Sequence, residues 1–96
     1  MVEVIYVLSG EIAWFTHVKL YGDRFESPFE RAIELLKSSP EIGSRYSIDP
    51  FRKLRLRDTP WAVFYAVAGN RVVIHTIQDL RQDPETLHKK LLALLP

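Results

Sequence analysis

Apolar and polar positions change their spacing along the 96-residue chain. Residues 2–8 are mostly apolar and rich in β-branched side chains, which predicts a strand. The spacing then becomes helical and predicts a helix near residues 10–22. Ser27-Pro28 is a helix-start signal, and the apolar stripe after it predicts a second helix over residues 27–38. Two helices joined by a short turn should form a hairpin.

The second half of the chain has the shorter period of β-strands. Residues 51–57 alternate leucines with cations, so the leucines should share one face and the cations the other. Residues 61–67 are apolar on both faces, which predicts a central strand. A turn with glycine and asparagine leads into a strand over residues 71–79. Asp83, followed by proline, opens a short C-terminal helix.

The order of these elements predicts an α+β fold for a single domain, residues 1–96. An N-terminal strand precedes a two-helix hairpin, which packs on a mostly antiparallel sheet of three or four strands. A short C-terminal helix completes the fold, and we expect the helices on one face of the sheet. The predicted core comprises Ile12, Phe15, Phe29, Ile33, Leu36, Leu54, Leu56, Val63 and Phe64.

The composition of the chain excludes several kinds of site and shows where its charges lie. The chain has no cysteine, which excludes disulfides, thiolate catalysis and Cys-ligated zinc and suits a reducing cytoplasm. Its longest apolar run, residues 61–69, is too short to cross a bilayer, so we expect a cytoplasmic protein without a membrane partner. The net charge is only +1, yet residues 45–57 carry five cations against one acid. Residues 11–34 carry five acids against three bases, so the charges are separated along the chain.

The cations of residues 51–57 form the first candidate contact surface. Three of them, Lys53, Arg55 and Arg57, project in a row that phosphates or carboxylates would meet, although a solvated strand edge has the same pattern. Trp61 and Tyr65 share one side of the central strand, where core packing competes with a contact role. Arg81 lies between two aspartates, which fits either a local ion pair or a target contact. The candidate contact residues are Arg52, Lys53, Arg55, Arg57, Trp61, Tyr65 and Arg81.

The histidines are the remaining titratable candidates. His75 shares an apolar strand side with Val73 and Ile77, which favours a half-buried histidine over a general base. His17 and His88 stand singly on helices, and no pair of histidines has ligand spacing. We therefore predict neither a metal site nor a cofactor.

Several motifs of the second half occur together. A basic strand that ends in a turn with proline precedes an aromatic-aliphatic strand containing Phe64-Tyr65 and then a strand rich in valine and isoleucine. Arg-x-Asp-Pro closes this stretch at residues 81–84, and Pro-x-x-Gly stands upstream at residues 40–43. This combination resembles the RelE/ParE superfamily, the small toxins of bacterial type II toxin–antitoxin pairs. The resemblance covers most of the chain.

The resemblance implies one of two activities. RelE-like members cut messenger RNA in the ribosome without a metal, whereas ParE-like members bind DNA gyrase. Cleavage of RNA without a metal needs a base, an acid and cations that hold the phosphate. If the chain is a nuclease, the candidates for these roles are Arg55, Arg57, His75, Arg81 and His88.

Departures from the RelE-like pattern favour the ParE-like, plasmid-stabilisation branch. No tyrosine follows Tyr65, and Asp79 stands where many relatives carry a histidine. We therefore expect a toxin that inhibits gyrase by binding rather than as an enzyme, and that a cognate antitoxin neutralises. The alternatives are a ribosome-dependent mRNA interferase and a non-toxic binding module on the same scaffold. A homodimer and a toxin–antitoxin heterotetramer are both open.

Overall fold

The computed structural model describes residues 2–95, which contain three helices and five strands. The elements are β1 (Glu3–Tyr6), α1 (Leu8–Tyr21), α2 (Asp23–Ser38), β2 (Ser44–Arg45), β3 (Arg52–Arg55), β4 (Trp61–Ala68), β5 (Arg71–Asp79) and α3 (Pro84–Leu92). The sheet has the order β1-β5-β4-β3-β2, with β1 parallel to β5 and the other neighbours antiparallel. The predicted α+β class is confirmed. The sheet has five strands instead of the predicted three or four, and the two-residue strand β2 was not predicted.

The central strand β4 is apolar on both faces and separates two cores. Trp61, Val63 and Tyr65 pack with α1 and α2 in the first core. Ala62 and Phe64 pack with α3 in a second core on the opposite face. The prediction that the helices share one face is right for α1 and α2 and wrong for α3. The reason is that a strand apolar on both faces needs a covering layer over each.

Helix α1 turns a different side to the core than its sequence predicts. The predicted core residues on α2, around β3 and on β4 are buried or packed against the core. Ile12 and Phe15 on α1 are instead 57% and 58% exposed, so the prediction is wrong there. Apolar residues surround this helix, and the side that meets the core carries Ala13, Trp14, Val18 and Tyr21 together with Gly10 and His17. Because Gly10 and His17 are not strongly apolar, the spacing of apolar residues in the sequence does not single out this side of the helix.

Helix α1 approaches β5 closely because Gly10 has no side chain. Strand β1 pairs with the first half of β5 only, and α1 lies against the part that follows. The Ser9 hydroxyl donates a hydrogen bond to the carbonyl oxygen of His75 at 2.6 Å. A Cβ atom added to Gly10 would overlap the carbonyl oxygen of Ile74. Glycine is therefore required at this contact.

Helix α2 begins earlier than predicted. Gly22 is the one residue between α1 and α2, and its φ of 55° lies in the region that favours glycine. This turn lets α2 begin at Asp23, so the predicted start at Ser27-Pro28 is wrong. Pro28 is instead buried inside the helix, where the absence of its N–H removes one helical hydrogen bond.

A bulge in β5 changes which face its side chains occupy. Phe64 pairs with Thr76 and Tyr65 pairs with Ile74, which leaves His75 as the extra residue. Ile77 consequently lies in the first core. The His75 ring contacts the ring of Phe51, which belongs to the second core. The prediction that His75 and Ile77 share a side is therefore wrong.

Two local signals of the second half are confirmed. Gly69, with a φ of 63°, lies in the turn that joins β4 to β5. Asp83 caps α3, because its Oδ2 accepts a hydrogen bond from the backbone N–H of Thr86 at 3.1 Å.

We expect Gly10→Ala to destabilise the fold. The added methyl group must push α1 away from β5, and overpacking of this kind typically costs about 1–3 kcal/mol. The free energy of unfolding in urea measures the change. Thr16→Ala, an exposed change on the same helix, is the control and should stay within about 0.5 kcal/mol. Equal stability of Gly10→Ala and wild type would contradict the close contact.

Candidate functional site

The cations around β3 divide between the two faces of the sheet. Lys53 pairs with Phe64 and Arg55 pairs with Ala62, so both project on the face that α3 covers. Arg52 pairs with Tyr65 and projects on the face of the helical hairpin. Strand β3 ends at Arg55, and Arg57 stands in the turn that follows. We call Lys53, Arg55 and Arg57 the basic surface.

Arg52 acts inside the molecule rather than on the basic surface. Its guanidinium donates to the carbonyl oxygens of Gly43 at 2.8 Å and Glu41 at 3.2 Å. The Glu41 carboxylate lies 4.0 Å from the Arg52 guanidinium. These bonds fix the segment between α2 and β2, so we assign Arg52 a structural role.

Tyr65 also binds Gly43, the residue that Arg52 contacts. Its side chain is fully buried, and its hydroxyl accepts a hydrogen bond from the backbone N–H of Gly43 at 2.9 Å. Burial raises the pKa of this phenol, and the bond from Gly43 lowers it by less. A Cβ atom on Gly43 would lie 2.6 Å from that hydroxyl, which explains a glycine here. Tyr65 is therefore not exposed to a partner.

Arg55 and Arg57 are exposed cations on a well-defined turn. The Nε of Arg55 donates to the carbonyl oxygen of Thr59 at 2.9 Å. The buried Thr59 hydroxyl in turn donates to the carbonyl oxygen of Leu56 at 2.8 Å. Asp58 has a φ of 61°, in the left-handed region that aspartate tolerates better than most residues. Both arginines line a depression beside α2, together with Glu30 and Glu34.

Arg81 lies apart from Arg55, in a depression lined by α1 and the end of β5. Its NH2 and Nε groups donate to the two carboxylate oxygens of Asp79 at 2.8 and 3.1 Å. These side-chain bonds are the main reason that the pKa of Asp79 is lowered. Asp79 pairs with Trp61, which is 4% exposed and packs in the first core beside the hairpin. The structure therefore does not bring Arg81 together with the basic surface.

The two histidines named as nuclease candidates both occupy the α3 face. His75 stands over Phe51 with ring centroids 5.1 Å apart, and burial lowers its pKa. The ring of His88 on α3 lies 6.4 Å from the ring of Tyr46. Tyr46 in turn packs edge-on against Phe64 at 5.3 Å.

Tyr46 is the residue that sequence reasoning missed. It lies beside Phe64, and Phe64 is the strand partner of Lys53. Tyr46 thus contacts Phe64 on one side and lies near His88 on the other, and Lys53 is on the strand position beside Phe64. The search for a tyrosine near the C-terminus overlooked Tyr46, because it precedes β3 in the chain. Arg45, which directly precedes Tyr46 in the sequence, was the available signal.

Metal and membrane sites receive no support from the described part of the chain. Residues 2–95 contain no group of three or more histidine, aspartate or glutamate side chains placed to hold one ion. Within the same residues, each helix is too short or too polar to span a bilayer.

Solved structures match this architecture, whereas sequence comparisons do not. No protein-family model matches the chain, and no curated protein does. The isolated RelE toxin of E. coli matches with a TM-score of 0.69 and 13% identity, over 99% of this chain and 100% of that chain. An E. coli RelE mutant in complex with a RelBc antitoxin peptide matches with a TM-score of 0.68 and 12% identity, over 94% and 93%. The chromosomal ParDE system of P. aeruginosa matches with a TM-score of 0.63 and 15% identity, over 84% and 98%.

The chain has the RelE/ParE toxin fold. At these identities the likeness concerns the backbone alone. The roles of individual side chains in this RelE/ParE-fold protein therefore rest on its own geometry.

The shifted pKa of His75 predicts a pH dependence of stability. Its ordinary pKa is 6.5 and its folded-state pKa is lower, so the unfolded chain binds more protons below about pH 6.5. The contribution of His75 is present above that pH and is lost as the pH falls. We expect the unfolding free energy of wild type to decrease between about pH 7.5 and 5.5, and His75→Gln to decrease less. Urea unfolding at the two pH values measures both free energies. If they decrease equally in wild type and His75→Gln, the pKa of His75 is not lowered in the folded protein.

Proposed function

We propose that this chain is the toxin of a type II toxin–antitoxin pair that inhibits growth by binding DNA gyrase. The proposal combines the RelE/ParE fold with the basic surface of the half-buried Lys53 and the exposed Arg55 and Arg57. The matched RelE complex contains an antitoxin peptide. By analogy, an antitoxin encoded beside this gene is the partner that we expect to neutralise the toxin.

One observation carries the choice of a binding mechanism over cleavage. A nuclease must direct its cations at a single phosphate. Arg55 lines a depression beside α2, whereas Arg81 lines another beside α1, and Asp79 binds Arg81 through two hydrogen bonds. A binding surface has no such requirement, since exposed cations at the rim attract an anionic patch wherever they lie.

The cluster around Tyr46 favours a second candidate, a RelE-like ribonuclease. Tyr46 and His88 are neighbours on the face of Lys53, and a phenol, an imidazole and a cation are sufficient for acid–base cleavage of RNA. This alternative would use neither Arg81 nor His75. It differs from the gyrase proposal in the residues on which toxicity depends.

We expect the double variant Arg55→Ala with Arg57→Ala to abolish growth inhibition while the protein still folds. The two side chains are exposed, and surface substitutions usually change stability by less than about 0.5 kcal/mol. Growth of a host that expresses each variant gives the result, with circular dichroism as the check on folding. The double variant Arg24→Ala with Arg71→Ala removes the same charge from exposed positions elsewhere and should leave toxicity intact.

The Tyr46 cluster distinguishes the two candidates in the same assay. Under the gyrase proposal, Tyr46→Phe and His88→Ala remain toxic. Loss of toxicity in either variant, with fold retained, would replace the gyrase proposal by the ribonuclease. Full toxicity of the Arg55 and Arg57 double variant would contradict the role of the basic surface.

A further inference from the structure

The depression that Arg81 lines extends from α1 across the end of β5 to α3. It has a volume of about 720 Å³, which is within the range of pockets that hold small molecules. Of the described residues that line it, Ile12, Ala13 and Ile77 are apolar and all the others carry polar side chains. Pockets for small molecules combine these two kinds of lining, since the polar groups orient a ligand and the apolar ones bury it.

A chain of side-chain hydrogen bonds crosses the depression from β5 to α3. Gln78 donates from its Nε2 to the hydroxyl of Thr76 at 2.9 Å, and Gln82 donates from its Nε2 to the Oε1 of Gln78 at 3.0 Å. The same Nε2 of Gln82 donates to the carbonyl oxygen of Asp79 at 2.8 Å. The Oε1 of Gln82 then accepts a hydrogen bond from the ammonium group of Lys90 at 2.8 Å. This network holds the long side chain of Lys90 at the depression.

Positive charge exceeds negative charge in the depression. Among the described residues, two cations line it, Arg81 and Lys90, and one carboxylate does, that of Asp79. The carboxylate is bound to the Nε and one terminal nitrogen of Arg81, which leaves the other terminal nitrogen outside this pair. Within residues 2–95, no carboxylate lies at ion-pair distance from the ammonium of Lys90. Lys90 also retains two N–H donors beyond its bond to Gln82.

We propose that this depression binds a small anionic molecule, whose phosphate or carboxylate group contacts Lys90 and Arg81. Ammonium and guanidinium groups bind both kinds of oxyanion through charge-assisted hydrogen bonds. Because Gln82 already holds Lys90 in place, less side-chain freedom is lost when the ligand binds. The apolar part of the ligand lies against Ile12 and Ile77. The site is separate from the basic surface, and the inference does not depend on the proposed toxin function.

The composition of the depression argues against other ligands. A divalent metal ion needs several oxygen or imidazole ligands, and the one carboxylate that lines the described depression is already bound to Arg81. A cationic ligand would be repelled by the ammonium of Lys90. A third reading assigns Lys90 only the task of fixing α3 through Gln82, and this reading predicts no affinity for anions.

Four probe molecules on one aromatic ring test the proposal with the full chain. Phenyl phosphate and benzoate are anionic, benzyl alcohol is neutral and benzylamine is cationic. We expect at least one of the anions to bind about tenfold more tightly than the alcohol and the amine, because its hydrogen bonds are charge-assisted. This binding should weaken as salt rises. Isothermal titration calorimetry measures the four affinities.

The comparison of the two anions identifies the group that the site prefers. Inorganic phosphate, titrated alone, shows how much of the affinity comes from the oxyanion without the ring. Equal affinities for all four aromatic probes would overturn the proposal. Absence of binding by both anions at millimolar concentration would also overturn it, in favour of a purely structural role for Lys90.

Two neighbouring lysines on α3 locate the binding. Lys90→Ala should weaken the tighter anion about fivefold or more, whereas Lys89→Ala should not, since Lys89 is also exposed but does not line the depression. Lys90→Arg keeps the charge and should retain most of the affinity. Lys90→Glu should reverse the preference towards benzylamine. Unchanged affinity in Lys90→Ala, or equal losses in the two alanine variants with the fold retained by circular dichroism, would refute the site.

Discussion

The burial of β4 on both faces is the constraint on which the rest of this structure depends. A strand with Trp61 and Tyr65 on one side and Phe64 on the other cannot be left open to water on either side. Aromatic side chains of this size bury about 150–250 Å² each and dominate the energetics of a small core. The helical hairpin covers one face and α3 the other.

This arrangement leaves the ends and edges of the sheet for function. With β4 occupied by packing, exposed cations are carried by its neighbour β3 and the turn that follows. The outer side of the hairpin carries the carboxylates of Glu11, Glu30 and Glu34. The two sets of charges meet beside α2, where Glu30 and Glu34 line one depression together with Arg55 and Arg57.

Features set by neighbouring residues were predictable from the sequence. The turn at Gly69, the cap at Asp83 and the two-sided burial of β4 each follow from a few adjacent side chains. The core-facing side of α1 was not predictable by periodicity, because apolar residues surround the helix and tertiary contact selects Gly10 and His17. The residues around His75 do not indicate a bulge, because their sequence fits a regular strand equally well.

The candidate site was predictable only in part, for the same reason. Alternation placed Lys53 and Arg55 on one face correctly, since strand geometry fixes that relation. It did not reveal that Arg52 binds the carbonyl of Gly43, or that the ring of Tyr46 lies beside the ring of His88 on α3. The Tyr46–His88 contact joins segments that are distant along the chain, and the Arg52–Gly43 bond spans nine residues and closes a loop. Their partners are therefore fixed by the fold as a whole.

The target of the protein is tested most directly with one purified preparation divided between two assays. In the first, gyrase supercoils relaxed plasmid DNA in the presence of the chain; in the second, ribosomes hold a defined message. A gyrase-binding toxin should block supercoiling and leave the message intact, because its cations do not converge on one phosphate. Cleavage of the message at defined positions, with supercoiling unaffected, would contradict this account.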